Sequence, residues 1–129
     1  MTEEAVRMRS KWMTHRGERI LYSDYTQYST DDFSALKAEL ASVEAEICTQ
    51  PEGSVLLITD VTGSVASREA VELFKESAAR SKKHVLKNAV IGITGLKKIL
   101  FDAVVRFSGQ NARAFDDLEN GKDWLAEKD

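Results

Sequence analysis

A carboxylate and two hydroxyl groups lie close together in residues 60–64, where an apolar run of strand length ends. Asp60, Thr62 and Ser64 alternate there with Val61 and Gly63. Side chains of these types at the end of a strand can engage a partner. They also form Asx and Ser/Thr turns that cap nearby amides. The pattern therefore predicts either an interaction loop or a structural turn.

A second polar group follows the next apolar run and consists of Thr94, Lys97 and Lys98. Amides at the start of a helix, together with two cations, can hold an anion. Ligands of open α/β sheets bind beyond the carboxyl ends of parallel strands, so both groups are expected to line one pocket. The alternative is that Thr94 caps the helix while the lysines are solvated. No Walker or dinucleotide spacing indicates a nucleotide.

The usual components of a catalytic site are scarce. His15 and His84 are not at metal-ligand spacing from another His or Cys. Cys48 ends an amphipathic helix with no base on the adjacent turn, which favours a buried, inert thiol. Asp31 and Asp32 fall in a first helical turn, where the helix dipole explains them. We therefore expect no enzymatic activity, no metal site and no cofactor.

Aromatic side chains are the other candidate binding group. They can line an apolar cavity, although such residues more often form the core. The set comprises Trp12, Tyr22, Tyr25, Tyr28, Phe33 and Trp124.

The elements that position these residues follow from hydrophobic periodicity. Strands are predicted at residues 6–13, 19–25, 54–59, 89–93 and 112–115, and helices near residues 30–48, 67–83, 96–108 and 117–127. The first two strands form an antiparallel hairpin through a turn at Arg16 and Gly17. Ser29 or Thr30 is expected to cap the first helix, and Ser67 the second. This order predicts an α/β fold with a mixed sheet of about five strands and about four helices.

Length and composition limit the class of protein. The 129 residues, with 43% hydrophobic and 30% charged residues, predict a single domain spanning residues 1–129. The acidic start and the single cysteine favour the cytoplasm over export. No apolar run is long enough for a transmembrane segment.

Charge is distributed unevenly along the chain. Residues 80–113 carry a net charge of +7 and the remainder −10. We expect the basic residues either to form a face for an anionic partner or self-association, or to be solvated on separate helices. These residues are Arg80, Lys82, Lys83, Lys87, Lys97, Lys98, Arg106 and Arg113. The overall charge of −3 argues against nucleic-acid binding.

Four segments carry a resemblance to a known family. Residues 53–63 (GSVLLITDVTG), 89–98 (AVIGITGLKK), 107–111 (FSGQN) and 114–116 (AFD) resemble the bacterial SpoIIAA-like proteins, which are related to the anti-anti-sigma factors. The fold of that group is similar to STAS domains and, more remotely, to CRAL-TRIO lipid-transfer domains. The likeness extends over about residues 17–125.

The resemblance implies a regulatory role for the first polar group. In anti-anti-sigma proteins an acid is followed by hydroxyl residues and a glycine, and a serine of this loop is phosphorylated by a partner kinase. Val61 replaces one hydroxyl here, so the pattern is half kept. Thr62 is the candidate phosphoacceptor, and a phosphate there would add nearly two negative charges near a helix N-terminus.

The sequence indicates two alternative functions. The first is a non-catalytic regulatory or protein-interaction module, with phosphorylation of the loop containing Asp60, Thr62 and Ser64 as its candidate switch. The alternative is a small-molecule or lipid-binding domain with a pocket at the carboxyl ends of the parallel strands. Protein partners, apolar or anionic ligands and self-association all remain open.

Overall fold

A computed structural model describes residues 9–65, 67–95 and 97–128 of the protein. Within these residues one sheet contains β1 (Lys11–His15), β2 (Glu18–Asp24), β3 (Val55–Asp60), β4 (Val85–Ile91) and β5 (Ala112–Phe115). The helices are α1 (Phe33–Cys48), α2 (Arg68–Ser81), α3 (Lys97–Ser108) and α4 (Leu118–Ala126). The predicted α/β class, with a mixed five-stranded sheet and four helices, is confirmed.

The strands follow one another across the sheet in sequence order. β1 is antiparallel to β2, whereas β2, β3, β4 and β5 are parallel neighbours. Crossovers of one hand that always step in the same direction place their helices on the same face. α1, α2 and α3 accordingly share one face of the sheet, and α4 returns across the other.

β3 is buried on both faces, as its uninterrupted apolar sequence predicts. Val55 and Leu57 belong to the core beneath α1 and α2. Leu56 and Ile58 point the opposite way and pack with Leu125 of α4. The two cores are therefore joined through this central strand.

Local signals in the sequence set several boundaries. Ser29 caps the short 3-10 turn Thr30–Asp32 that leads into α1, and Ser67 accepts a hydrogen bond from the amide of Ala70 at the start of α2. Arg16 and Gly17 both have positive φ, at 52° and 81°, which suits the tight two-residue turn between β1 and β2. The cap at Ser67 and the turn are confirmed, whereas α1 begins after Asp32, whose side chain makes no capping hydrogen bond, so neither Ser29 nor Thr30 caps it directly.

The first strand was predicted too early. Residues 6–8 lie outside the described part of the chain, and β1 begins only at Lys11. The amides of Arg9 and Ser10 donate instead to the carboxylate of Glu39, at 3.1 and 2.8 Å. Two long-range hydrogen bonds to α1 thus replace the strand ladder.

The fourth strand was predicted too late. β4 spans Val85–Ile91 rather than residues 89–93. Lys87 interrupts the apolar pattern by which the strand was predicted. Its burial is possible because its ammonium donates to the carbonyls of Trp124 and Glu127 at 2.9 and 3.1 Å. Gly92 has a φ of 92° and takes the chain out of the extended conformation.

The loops that follow β3 and β4 touch at Gly92. A Cβ atom at this position would lie 2.5 Å from the backbone nitrogen of Thr62. Only a residue without a side chain allows this approach, and positive φ independently favours glycine. The contact holds the two loops together at the carboxyl edge of the sheet.

Among the described residues, no helix is both long enough and apolar enough to cross a bilayer.

Replacing Leu57 with Ala is expected to lower the free energy of unfolding by about 2 to 5 kcal/mol, because removing a buried side chain from β3 leaves an empty space that its neighbours cannot fully fill. Leu57 is 5% exposed, whereas Leu86 on β4 is 49% exposed and provides the control. Chemical denaturation measures both variants. A loss below about 1 kcal/mol for Leu57→Ala would contradict its burial.

Replacing Gly92 with Ala is expected to cost about 2 to 4 kcal/mol, because backbone strain adds to the collision with Thr62. Gly95→Ala is the matched control, since Gly95 also has positive φ but has no heavy atom within 4 Å of a built Cβ. Its cost should stay near 1 kcal/mol, the strain alone. Equal losses on denaturation would show that the Thr62 contact does not constrain the loops.

Candidate functional site

The carboxylate of Asp60 organises the loop after β3. One oxygen, Oδ1, accepts hydrogen bonds from the amide of Thr62 at 3.1 Å and from its hydroxyl at 2.6 Å. The other, Oδ2, accepts the hydroxyl of Tyr22 at 2.6 Å. Burial and this bond raise the pKa of Tyr22. Asp60 and Thr62 therefore form the structural turn that the sequence offered as an alternative, while Thr62 stays exposed.

Ser64 connects the same loop to the end of β2. Its hydroxyl donates to the carbonyl oxygen of Tyr25. The amide of Gln27 donates to the carbonyl of Thr62 at 3.0 Å, and that of Val65 donates to the carbonyl of Tyr28 at 2.9 Å. The loop is thus braced on one side by residues 25–28 and on the other by Gly92.

The second polar group lies at the same edge of the sheet. The amides of Lys97 and Lys98 already donate to the carbonyls of Thr94 and Gly95, both at 3.1 Å. These two amides are consequently occupied by the turn that starts α3. Thr94 and Lys98 are exposed.

Lys97 links the two groups. Its ammonium donates to the carbonyl of Val61 at 3.0 Å, and its side chain is half-buried. Burial lowers the pKa of Lys97, and the nearby Asp60 carboxylate opposes that effect. The structure therefore brings Asp60, Thr62 and Lys97 together, with Lys98 pointing to solvent beside them.

An apolar cavity of about 140 Å³ lies behind these loops, between the helices and the face of the sheet. Val61, Ser64 and Lys97 line it at the loop end. Much of its wall comes from α2 and α3, through Val71, Phe74, Leu100, Phe101, Val104 and Val105. The cavity extends from the predicted site residues into the layer beneath α3.

Three polar side chains cross the sheet side of the cavity. The hydroxyl of Thr59 donates to Oδ1 of Asn88 at 2.8 Å, and Nδ2 of Asn88 donates to Oε1 of Gln110 at 3.1 Å. Gln110 in turn donates to the carbonyl of Ala78 at 2.9 Å. Every buried side-chain nitrogen and oxygen of the described residues has a partner. The hydrogen bonds from Thr59 through Asn88 and Gln110 to Ala78 therefore connect β3, β4 and α2 without a ligand.

α3 covers the cavity incompletely. Ser108 is its one buried residue among those described, and Ile99 and Phe107 are 66% and 58% exposed. A helix with so few buried apolar side chains belongs to the less stable part of a structure. Of the three helices on this face, α3 has the fewest buried residues among those described.

The basic residues do not share a face. Arg80 pairs with Glu44 on α1, at 2.7 and 2.9 Å. Lys87 and Arg113 lie on the opposite side of the sheet, where both stand over the ring of Trp124. The expectation of a single basic face over residues 80–113 is wrong, because Lys87 and Arg113 lie on the face of the sheet that α4 covers, whereas Arg80 lies on a helix of the other face.

The remaining candidates from the sequence lie elsewhere. His15 contacts Asp123 at 2.8 Å, and His84 contacts the carbonyl of Gln50 at 2.8 Å. Cys48 is exposed rather than buried. No cluster of three metal-ligating side chains occurs within the described residues.

Of the six aromatic candidates, Tyr25 lines the cavity. Trp12 and Trp124 pack against the two cores. Trp12 also borders a more polar depression of about 300 Å³, which includes Arg19 and Pro51 near the start of β3. Most of the aromatic side chains therefore serve packing, and the wall of the cavity is chiefly aliphatic.

Sequence reasoning missed Asn88, Gln110 and Thr59 as members of one site. The available signal was a single amide side chain, Asn88, beside a run of apolar strand residues. Its partner Gln110 lies 22 residues away. Periodicity carries no information about such pairing.

Comparison with known proteins identifies the fold. No family model and no curated protein matches the chain. An uncharacterized protein of Shewanella loihica PV-4, from the DUF3478 family and with a SpoIIAA-like fold, is similar over 91% of this chain and 92% of its own. The TM-score is 0.63 and the sequence identity 19%. The chain therefore has the SpoIIAA-like fold that its sequence led us to expect.

Proposed function

We propose that this protein is a binding module for a small, largely apolar molecule, which occupies the cavity between α2, α3 and the sheet. The observation that carries the proposal is the cavity itself, with its volume of about 140 Å³ and its mostly aliphatic lining. Apolar cavities of about 150 Å³ are known to take up benzene. The ligand is therefore about the size of one ring or a short hydrocarbon chain.

The position of the cavity supports the proposal. It reaches the loops at the carboxyl ends of β3 and β4, which is where ligands of open α/β sheets bind. Thin coverage by α3 supplies a route to it. Of the two functions drawn from the sequence, the binding domain is thus the one that the geometry favours.

A cavity-filling substitution tests this function. Ala78 lines the cavity, whereas Ala79 is the next residue of α2 and is exposed. We expect Ala78→Phe to reduce toluene binding at least about tenfold, a difference of about 1.4 kcal/mol, and Ala79→Phe to leave it unchanged. Chemical-shift titration of the cavity methyl groups measures the affinity.

The matched pair separates loss of the cavity from the general effect of a phenylalanine on α2. Circular dichroism and denaturation establish that both variants are folded. Absence of toluene binding to the unmodified protein, or unchanged binding to folded Ala78→Phe, would contradict the proposal.

A second candidate is regulation through protein interaction, with Thr62 as the switch. The observation that favours it is the exposure of Thr62 at a loop that also contacts Gly92. A phosphate on Thr62 would replace its hydrogen bond to Asp60 with charge repulsion. The contact between the two loops would then be weakened.

Phosphopeptide analysis of the protein isolated from its own cells tests this switch. The expected result is a phosphate on Thr62 that is missing from Thr62→Val. Thr62→Glu should lower the free energy of unfolding by about 1 to 3 kcal/mol, because it removes the hydrogen bond to Asp60 and places a second negative charge beside that carboxylate. A phosphate found only at other residues would overturn the role of Thr62.

A further inference from the structure

We propose that the ligand is a small monocarboxylic acid, with its apolar body in the cavity and its carboxylate paired with Lys97. The inference rests on the proposed function and specifies its ligand class. Its basis is the charge of the cavity wall. Lys97 is the only charged side chain among the described residues that line the cavity.

The ammonium of Lys97 retains capacity to bind. It has three donors, and the carbonyl of Val61 takes one of them. No ion pair within the described residues includes Lys97; those formed by other lysines are with Glu72, Glu119 and Glu18. A partly desolvated cation beside an apolar volume is stabilised by an anion that arrives with its own apolar surface.

Asp60 is not the anion that pairs with Lys97. Its two oxygens are occupied by Thr62 and Tyr22. The Asp60 charge is close enough to favour the protonated form of Lys97, but the two do not form a salt bridge among the described contacts. Asp60 therefore helps to keep the lysine charged and leaves it available.

The same geometry argues for a carboxylate rather than a phosphate. Phosphate sites at helix N-termini depend on several free backbone amides. The amides of Lys97 and Lys98 are already bonded to Thr94 and Gly95. A single ammonium group beside these two occupied amides matches the single charge of a carboxylate.

The volume sets the size of the acid. A cavity of about 140 Å³ holds about one aromatic ring. Arylacetic acids and carboxylic acids with six to eight carbons, roughly, meet both requirements. Phenylacetate is a suitable anionic probe, and phenylacetamide is its neutral counterpart of almost the same shape.

Titration of both probes, followed by the chemical shifts of the cavity methyl groups, tests the inference. We expect the unmodified protein to bind phenylacetate at least about tenfold more tightly than phenylacetamide. Lys97→Met keeps the apolar part of the side chain and should abolish this preference, whereas Lys97→Arg should retain it. Lys98→Met, beside it and exposed, should also retain the preference.

The outcomes distinguish this inference from the proposed function. Equal affinity for the two probes in the unmodified protein overturns the acid and leaves the binding module standing. The same holds if folded Lys97→Met retains the preference, or if inorganic phosphate displaces phenylacetate at equal concentration. Failure of both probes and of toluene to bind removes the proposed function itself.

Discussion

The order of the strands is the constraint from which the rest of the structure follows. Because β2, β3, β4 and β5 are added one after another in the same direction, their three connecting helices have to lie on one face. α1 and α2 cover the middle of that face and share a continuous apolar core. α3 spans the edge near β5, a strand of only four residues, and has less surface to pack against. The cavity lies between these helices and the sheet, and α3 is the part of its wall with the fewest buried residues among those described.

Asp60 is the second constraint, and it acts on the loops rather than on the core. Its carboxylate joins β2 through Tyr22 and fixes the turn at Thr62. The glycine at position 92 then allows the neighbouring loop to approach that turn. Lys97 completes the connection through the carbonyl of Val61. Ser64 and Lys97, one from each of the polar groups that stand out in the sequence, line the loop end of the cavity.

The sequence predicted the architecture because the strongest signals agreed. Periodic apolar residues in α1, the Ser67 cap and the continuous run in β3 each have a local cause, and each appears as expected. The predicted starts of β1 and β4 were wrong because a tertiary contact outweighed the local sequence pattern there. Glu39 captured the amides before β1, and the end of α4 stabilised a buried Lys87 within β4.

The candidate site was only partly predictable from the sequence, because part of it also depends on tertiary contacts. The loops at Asp60 and Thr94 follow strands, so their common edge could be deduced from topology. The role of Asp60 as an internal acceptor, and the chain from Thr59 through Asn88 to Gln110, depend on side chains from separate elements. The volume beneath α3 depends on packing, which the pattern of apolar residues does not specify.

An accessible apolar cavity between α2, α3 and the sheet is the feature on which the proposed function and its ligand both depend. Crystals of the protein under xenon pressure test it most directly, because xenon enters apolar cavities without needing a polar partner. The account predicts xenon density between Leu100 and Val104 of α3 and Val90 of β4, with the helix in place. Density absent from that position, with α3 packed directly onto the sheet, would contradict it.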